Sequence, residues 1–233
     1  MTDADDFVGF PSDAFTFLRE LAENNNRDWF NANKPRYQDH ILAPMSRFIR
    51  AIAPHLYRIS PAFIADPKPH GGSMFRIYRD TRFGNNKSPY KEHIACQFRH
   101  NRARDVHAPG FYVQLEPQRI FLGGGIWRAP TEALGHIRDT LAEDPEHWRK
   151  ITTQPAFVQQ FGTVQGEQLK RVPRGFDPQH PLAEDLKRKT FFAGTELAPA
   201  SALEAAFVDE VAAHFETAAP FMQFITTALA LEW

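Results

Sequence analysis

The chain has 233 residues, a mass of 26.6 kDa and a formal net charge of −1, with 42% hydrophobic and 24% charged residues. That length and composition fit one large domain that buries a core, and the near-neutral balance excludes a global basic field that would draw in nucleic acid or a membrane surface. A lone cysteine, Cys96, excludes a disulfide within the chain and any cysteine cluster for zinc or iron–sulfur.

The opening MTDADDF is acidic where a secretory signal would be basic and then apolar. Ser12 is the predicted N-cap of a first helix, with Phe15, Leu18 and Leu21 on its apolar side and Asn24-Asn25-Asn26 as its stop. A short helical turn over residues 27–33 carries Trp29 and Phe30. Pro35 then opens a longer helix whose stripe runs through Tyr37, Ile41, Met45, Phe48, Ile52 and Leu56. Pro44 is expected to kink that helix and Pro54 to mark its last turn. Residues 58–72, rich in proline and glycine, read as a loop.

The period then changes from 3.6 to 2. Residues 74–79 alternate as a strand. So do Ile94, Cys96 and Phe98, with His93, Ala95, Gln97 and Arg99 on the other face. A hairpin follows: Phe111, Val113 and Leu115, a turn at Pro117-Gln118, then Ile120 and Leu122. Gly123-Gly124-Gly125 is expected to end or bulge the last strand. Pro130 opens a helix with Leu134, Ile137 and Leu141, and Asp144-Pro145 starts a short one carrying Trp148 and Ile151. Gln165-Gly166 reads as a turn between extended pieces and residues 172–181 as a proline-rich surface loop. Residues 182–189 read as a short helix and 190–197 as a strand. Ser201 with Glu204 matches a capping box ahead of the stripe Phe207, Val211 and Phe215. Pro220 should break that helix, with a last one running to Trp233. The charge-free run 217–231 falls short of the ~20 residues that cross a bilayer. The expectation is a cytoplasmic protein with no membrane partner.

Strands clustered between helices predict an α+β fold, a mostly antiparallel central sheet with N-terminal and C-terminal helices packed on it. One domain over 1–233 is expected, helical over about 12–57, sheet over about 73–125 and helical over about 130–233.

The central stretch SMFRIYRDTRFGNNKSPYKEHIACQF, residues 73–98, concentrates the chemistry. Between Lys68 and Arg104 nine basic residues stand against Asp80 and Glu92, a local excess of seven positive charges in a chain of net −1. Arginine offers a planar bidentate fork to carboxylate or phosphate, and lysine a point charge. Arg76, Arg79, Arg82, Lys87 and Lys91 are the candidate ligand-binding cations, with Tyr90 to stack or donate a hydrogen bond. Arg99, Arg102 and Arg104 flank them. The competing reading pairs these cations with helix carboxylates such as Glu20, Glu23 and Asp28. The loop between Arg79 and Lys91, anchored by Phe83 and Tyr90, either closes over a ligand or is simply a pinned hairpin loop.

Candidate proton carriers are His93 and Glu116. Cys96 points with the apolar set and reads as core. His93, His100 and His107, spaced by seven, match no metal-ligand pattern, and no carboxylate cluster suits magnesium, so no metal and no cofactor is expected. Gly123-Gly124-Gly125 lacks the lysine and hydroxyl residue of a phosphate loop. Lys170-Arg171 and Lys187-Arg188-Lys189 read as solvated faces or as extensions of the strip.

The stretch FRIYRDTRFGNNKSPYK resembles the signature of the family called domain of unknown function 2461. The likeness extends through FLRELAENNNRDWFNANKPRYQ, GFYVQLEP, LGGGIWRAP and LKRVPRGFDPQHP, in that order along nearly the whole chain. Family members commonly carry Arg76, Arg79, Asp80, Arg82, Phe83, Lys87, Pro89, Tyr90 and Lys91 as they stand here, with Ser or Thr often found where this chain has Gly84, Asn85 and Asn86. The resemblance implies a one-domain α+β protein and supplies no activity, cofactor or catalytic residue. Three functional expectations therefore stand on the residues alone. They are an anionic ligand bound at the Arg/Lys/Tyr surface, an enzyme acting on a phosphorylated or carboxylated small molecule, and a module docking an acidic protein or single-stranded nucleic acid. The sequence assigns no oligomeric state.

Overall fold

A computed structural model describes residues 6–82, 86–102 and 108–233. Phe83, Gly84, Asn85, Arg104 and His107, singled out above, lie outside the described residues.

Four strands form one antiparallel sheet in sequence order: β1 (Ile94–Arg99), β2 (Gly110–Leu115), β3 (Ile120–Ile126) and β4 (Phe191–Leu197). Their alternation sorts the side chains onto two faces. Ile94, Cys96, Phe98, Phe111, Val113, Leu122 and Phe191 are buried beneath the helices. The other face, bearing Gln97, Tyr112, Gln114, Phe121, Phe192 and Glu196, is open. The fold is α+β, as the clustering of strands predicts.

Helix α9 (Phe207–Ala228) forms the centre of the covered face, lying on β3. Phe215 packs its ring 4.7 Å from Phe111, and Met222 sits over Gly124, where a Cβ would meet its sulfur at 2.7 Å. Three expectations fail here. Pro220 does not break the helix: although a proline inside a helix costs about 3 kcal/mol, Phe221, Met222, Phe224 and Ile225 beyond it are buried against the core and hold the turn. There is also no last helix to Trp233. The helix ends at Ala228, and Trp233 packs on Phe63 with ring centroids 5.6 Å apart. Nor does the Ser201/Glu204 capping box form. Residues Pro199–Leu203 make a 3-10 turn, and α9 begins after Ala206 with no side-chain cap.

On the N-terminal side, α1 (Ser12–Glu23) buries Phe15, Phe17, Leu18 and Leu21 and follows Pro11, so Ser12 is its first residue rather than its cap. Asn26 caps α2 (Arg27–Ala32) by accepting the Trp29 N–H at 2.9 Å. Then α3 (Lys34–Tyr37), a π turn (Gln38–Leu42) and α4 (Ala43–Ile59) follow without a break. The π turn ends two residues before Pro44, which lacks an N–H for the preceding turn, and is the form the expected distortion takes. Pro54 lies inside α4, which continues to Ile59.

The C-terminal part supplies α5 (Thr131–Glu143), α6 (Pro145–Thr152), α7 (Pro155–Phe161) and α8 (Ala183–Leu186). Helix α7, which buries Phe157 and Phe161, has no counterpart in the sequence reading. Arg138 of α5 is buried and donates to the Leu186 and Arg188 carbonyls, each at 2.8 Å, tying the α8 region down. The three cations after α8 are paired rather than merely solvated: Lys187 with Glu184, Arg188 with Asp185, Lys189 with Glu167.

Residues 74–79 do not form the expected strand. Ser73 and Phe75 bond the edge of β1 (Phe75 N–H to Ala95 O at 2.9 Å, Gln97 N–H to Ser73 O at 2.8 Å). The chain then leaves β1 to pair with its own return, with Tyr78 bridging Tyr90. Pairing with two different partners leaves two isolated bridges in place of a ladder. Gly123-Gly124-Gly125 does not end β3 either. All three glycines pair with β2 on one side and β4 on the other.

Candidate ligand site on the open sheet face

The register across the open face brings together residues far apart in sequence. Gln97, Tyr112, Gly123 and Gly194 are successive neighbours across the four strands, and Ala95, Gln114, Phe121 and Glu196 form the adjacent row. Side chains in such rows stand about 5 Å apart and touch. Rings accordingly form a strip from the β1 edge to β4. Phe75 lies 6.2 Å from Tyr112, Tyr112 lies 6.4 Å from Phe121, and Phe121 stacks on Phe192 at 5.4 Å. The last pair requires Gly194. A Cβ there would fall 2.4 Å from the Phe192 ring and 2.9 Å from Phe121. A cavity of about 580 Å³ follows the strip, walled by Trp127 and Gln165, in the size range of small-molecule sites.

One end of this cavity is polar. Tyr112 Oη donates to Gln114 Oε1, and Gln114 Nε2 donates to Glu116 Oε1 at 2.5 Å. Arg119, from the β2–β3 turn, donates through Nε to Glu116 Oε2 at 2.9 Å and through a terminal nitrogen to Glu196 Oε1 at 2.5 Å. Burial pulls the Glu116 carboxyl upward, but the bonds from Arg119 and Gln114 outweigh it and keep Glu116 below its ordinary range. Burial pushes the Tyr112 hydroxyl well above its ordinary value, so it stays a donor.

The other end is cationic. A second cavity of about 260 Å³ is lined by Arg76, Arg99, Pro69, the Gly71-Gly72 turn and Ser73, and it shares Phe75 and Gln97 with the first. Lys91 stands over the Phe75 ring, 5.2 Å from its centroid. Among the described residues, neither Arg76 nor Arg99 makes an ion pair or a side-chain hydrogen bond. Burial lowers the Lys91 pKa, and repulsion from Arg76 and Arg79 lowers it further.

The remaining predicted residues are placed otherwise. Arg79 is a latch. Its Nε donates to the Tyr90 carbonyl at 3.2 Å and a terminal nitrogen lies 3.7 Å from Glu92. Tyr90 is buried, stacked on Phe30 at 4.1 Å, and does not line either cavity. Asn25 holds it from both sides, accepting the Tyr90 N–H and donating to the Tyr90 carbonyl, each at 3.1 Å, and donating also to Glu92 at 2.9 Å. Arg82 grips Asp80 through two bonds, 3.0 and 2.8 Å, which hold that exposed carboxyl down to about 2. Lys87 donates to the Thr81 carbonyl at 2.8 Å. None of these cations pairs with Glu20, Glu23 or Asp28; Glu20 is taken by Arg36.

Of the two candidate proton carriers, Glu116 lines the larger cavity and His93 does not. Burial, then Lys91, lowers the His93 pKa and keeps the ring neutral near pH 7. Cys96 is fully buried with its thiol pushed up by burial. Among the described residues, no three His, Cys, Asp or Glu side chains converge as a metal site. Among the described residues, no helix is long and apolar enough to cross a membrane.

Sequence reasoning missed the groove. Phe75, Tyr112, Phe121, Phe192 and Arg119 come from five separate segments, and only the strand register makes them neighbours. The alternation of Tyr112, Gln114 and Glu116 was the available clue, since a wholly solvated face carries fewer aromatic rings.

A helix-covered antiparallel sheet with an open aromatic face marks the class as an α+β protein with a concave surface site. Residues 13–224 match the profile of the family described as conserved hypothetical protein DUF2461, and the chain belongs to that family. No curated protein matches it.

Proposed function

We propose that this is a cytoplasmic protein that binds an anionic small molecule with a ring-shaped body on the open face of the sheet. The observation that supports this most is the adjoining of the two cavities. An aromatic strip runs directly into a rim where Arg76, Arg99 and Lys91 make no ion pair among the described residues. Rings stack on the strip and contribute area at low entropic cost. A phosphate or carboxylate at the rim gives the cations the counter-charge they lack.

The test is a thermal-shift series with sugar phosphates, nucleoside monophosphates and dicarboxylates, run on the wild type and on an Arg76→Ala/Arg99→Ala double variant. A ligand at about 100 times its dissociation constant adds roughly 2.7 kcal/mol, a rise of about 5–10 °C for a chain of this size. Loss of the rise in the double variant, with its own melting point unchanged, supports the reading. An equal rise in both proteins removes the cations from the site.

The aromatic strip also favours a second reading, single-stranded nucleic acid stacking its bases on the sheet. Glu116 and Glu196 at the far end oppose it. A catalytic version would use Glu116 as a proton acceptor, since it is held ionised inside the groove. Glu116→Gln that keeps ligand affinity but stops turnover is the test of that version.

A further inference from the structure

The two ends of the groove differ in sign. At the β1 edge stand Arg76, Arg99 and Lys91, unpaired with carboxylates among the described residues. At the far end Glu116 and Glu196 share the single guanidinium of Arg119, so that end carries net negative charge. The rings of Phe75 and Tyr112 lie between. The far end is also rich in acceptors. Two carboxylates offer more lone pairs than Arg119 and Gln114 fill, and carboxylates accept from hydroxyl or ammonium groups.

We infer that the groove selects a ligand with one terminal anion and a donor-bearing ring at the opposite end. The ligand would be a monosaccharide-sized polyol or amino-sugar carrying a single phosphate or carboxylate. The inference rests on the anion-binding reading above and adds direction to it. The anion sits between Arg76 and Arg99. The ring lies along Phe75 and Tyr112. Its hydroxyl or ammonium donors reach Glu116 and Glu196. A second anion at the ring end meets like charge without a cation to spare, because Arg119 is already shared. Like-charge placement of this kind is a device for rejecting wrong partners. It rejects bisphosphates, and it rejects a nucleic-acid strand laid across the sheet.

The experiment is calorimetric titration of the full chain with glucose 6-phosphate, glucosamine 6-phosphate, fructose 1,6-bisphosphate, inorganic phosphate and a short oligothymidylate. A glucuronate arm separates carboxylate from phosphate. One of the sugars with a single anionic group should bind at least about tenfold more tightly than inorganic phosphate and than the bisphosphate. The two hexose phosphates distinguish hydroxyl from ammonium at the far end. A Glu116→Gln/Glu196→Gln double variant should shrink the preference for one anion over two, a change in selectivity that mere loss of folding would not produce. Bisphosphate or oligothymidylate binding as tightly as the best sugar with one anionic group overturns the polarity while leaving the anion site standing. A sugar phosphate no tighter than inorganic phosphate does the same. Silence from every probe overturns the anion-binding reading, and this inference with it.

Discussion

Arg79 and Arg76 stand three residues apart in the same motif, yet the structure gives them opposite roles, and alanine at each separates them. Arg79 makes one charge-assisted bond to the Tyr90 carbonyl at 3.2 Å and a long approach to Glu92 at 3.7 Å. Such a bond is worth about 1.5–3 kcal/mol. The Tyr90 carbonyl keeps its second donor, Asn25, in the variant, so the loss falls at the low end, near 1.5 kcal/mol. For a domain of this length that is a drop of roughly 3–6 °C. Arg76 is exposed and makes no ion pair or side-chain hydrogen bond among the described residues, its carboxylate neighbour Asp80 being held by Arg82, so Arg76→Ala should stay within about 0.5 kcal/mol of wild type. Ligand binding should show the reverse order, with Arg76→Ala weaker by about tenfold and Arg79→Ala close to wild type when measured well below its melting point. Differential scanning calorimetry and titration with a sugar phosphate give both numbers. If Arg76→Ala melts as low as Arg79→Ala, or if Arg79→Ala abolishes binding while its stability is intact, the division into rim and latch is wrong.

Gly194→Ala places a methyl group into the Phe192 and Phe121 rings at 2.4 and 2.9 Å. It should cost about 1–3 kcal/mol by overpacking and weaken the ligand beyond that by splaying the strip; urea unfolding and titration together check it. The His93 pKa lies below its ordinary value of 6.5, chiefly through burial. The unfolded chain therefore takes up that proton first, and stability falls as pH drops through about 6.5 toward the folded value. Melting temperature against pH should show this slope, and His93→Gln should flatten it.

Much of the fold is legible in local chemistry. The alternation of Ile94, Cys96 and Phe98 and of Phe111, Val113 and Leu115 marks β1 and β2, because a sheet with one buried face imposes a period of two. The stripe from Ile41 to Leu56 marks a helix for the corresponding reason at 3.6. Where the reading fails, a distant partner overrides the local rule. Pro220 is carried through α9 by burial against the sheet. Residues 74–79 alternate like a strand but divide their hydrogen bonds between β1 and the return segment at Tyr90.

The sheet-and-helix class, the family and the excess of cations in residues 73–98 are legible without coordinates. Those depend on residue identity and near spacing. Only the tertiary structure decided which cations have partners. Charge counting treats Arg79, Arg82 and Lys87 like Arg76 and Arg99, but the first three donate to the Tyr90 carbonyl, the Asp80 carboxylate and the Thr81 carbonyl, and the last two make no side-chain hydrogen bond among the described residues. The same holds for the groove. Phe75, Tyr112, Phe121 and Phe192 span more than a hundred residues of chain. They become one surface because hydrogen-bond register, which pairs Tyr112 with Gly123 and Gly123 with Gly194, sets rings beside glycines across three strands.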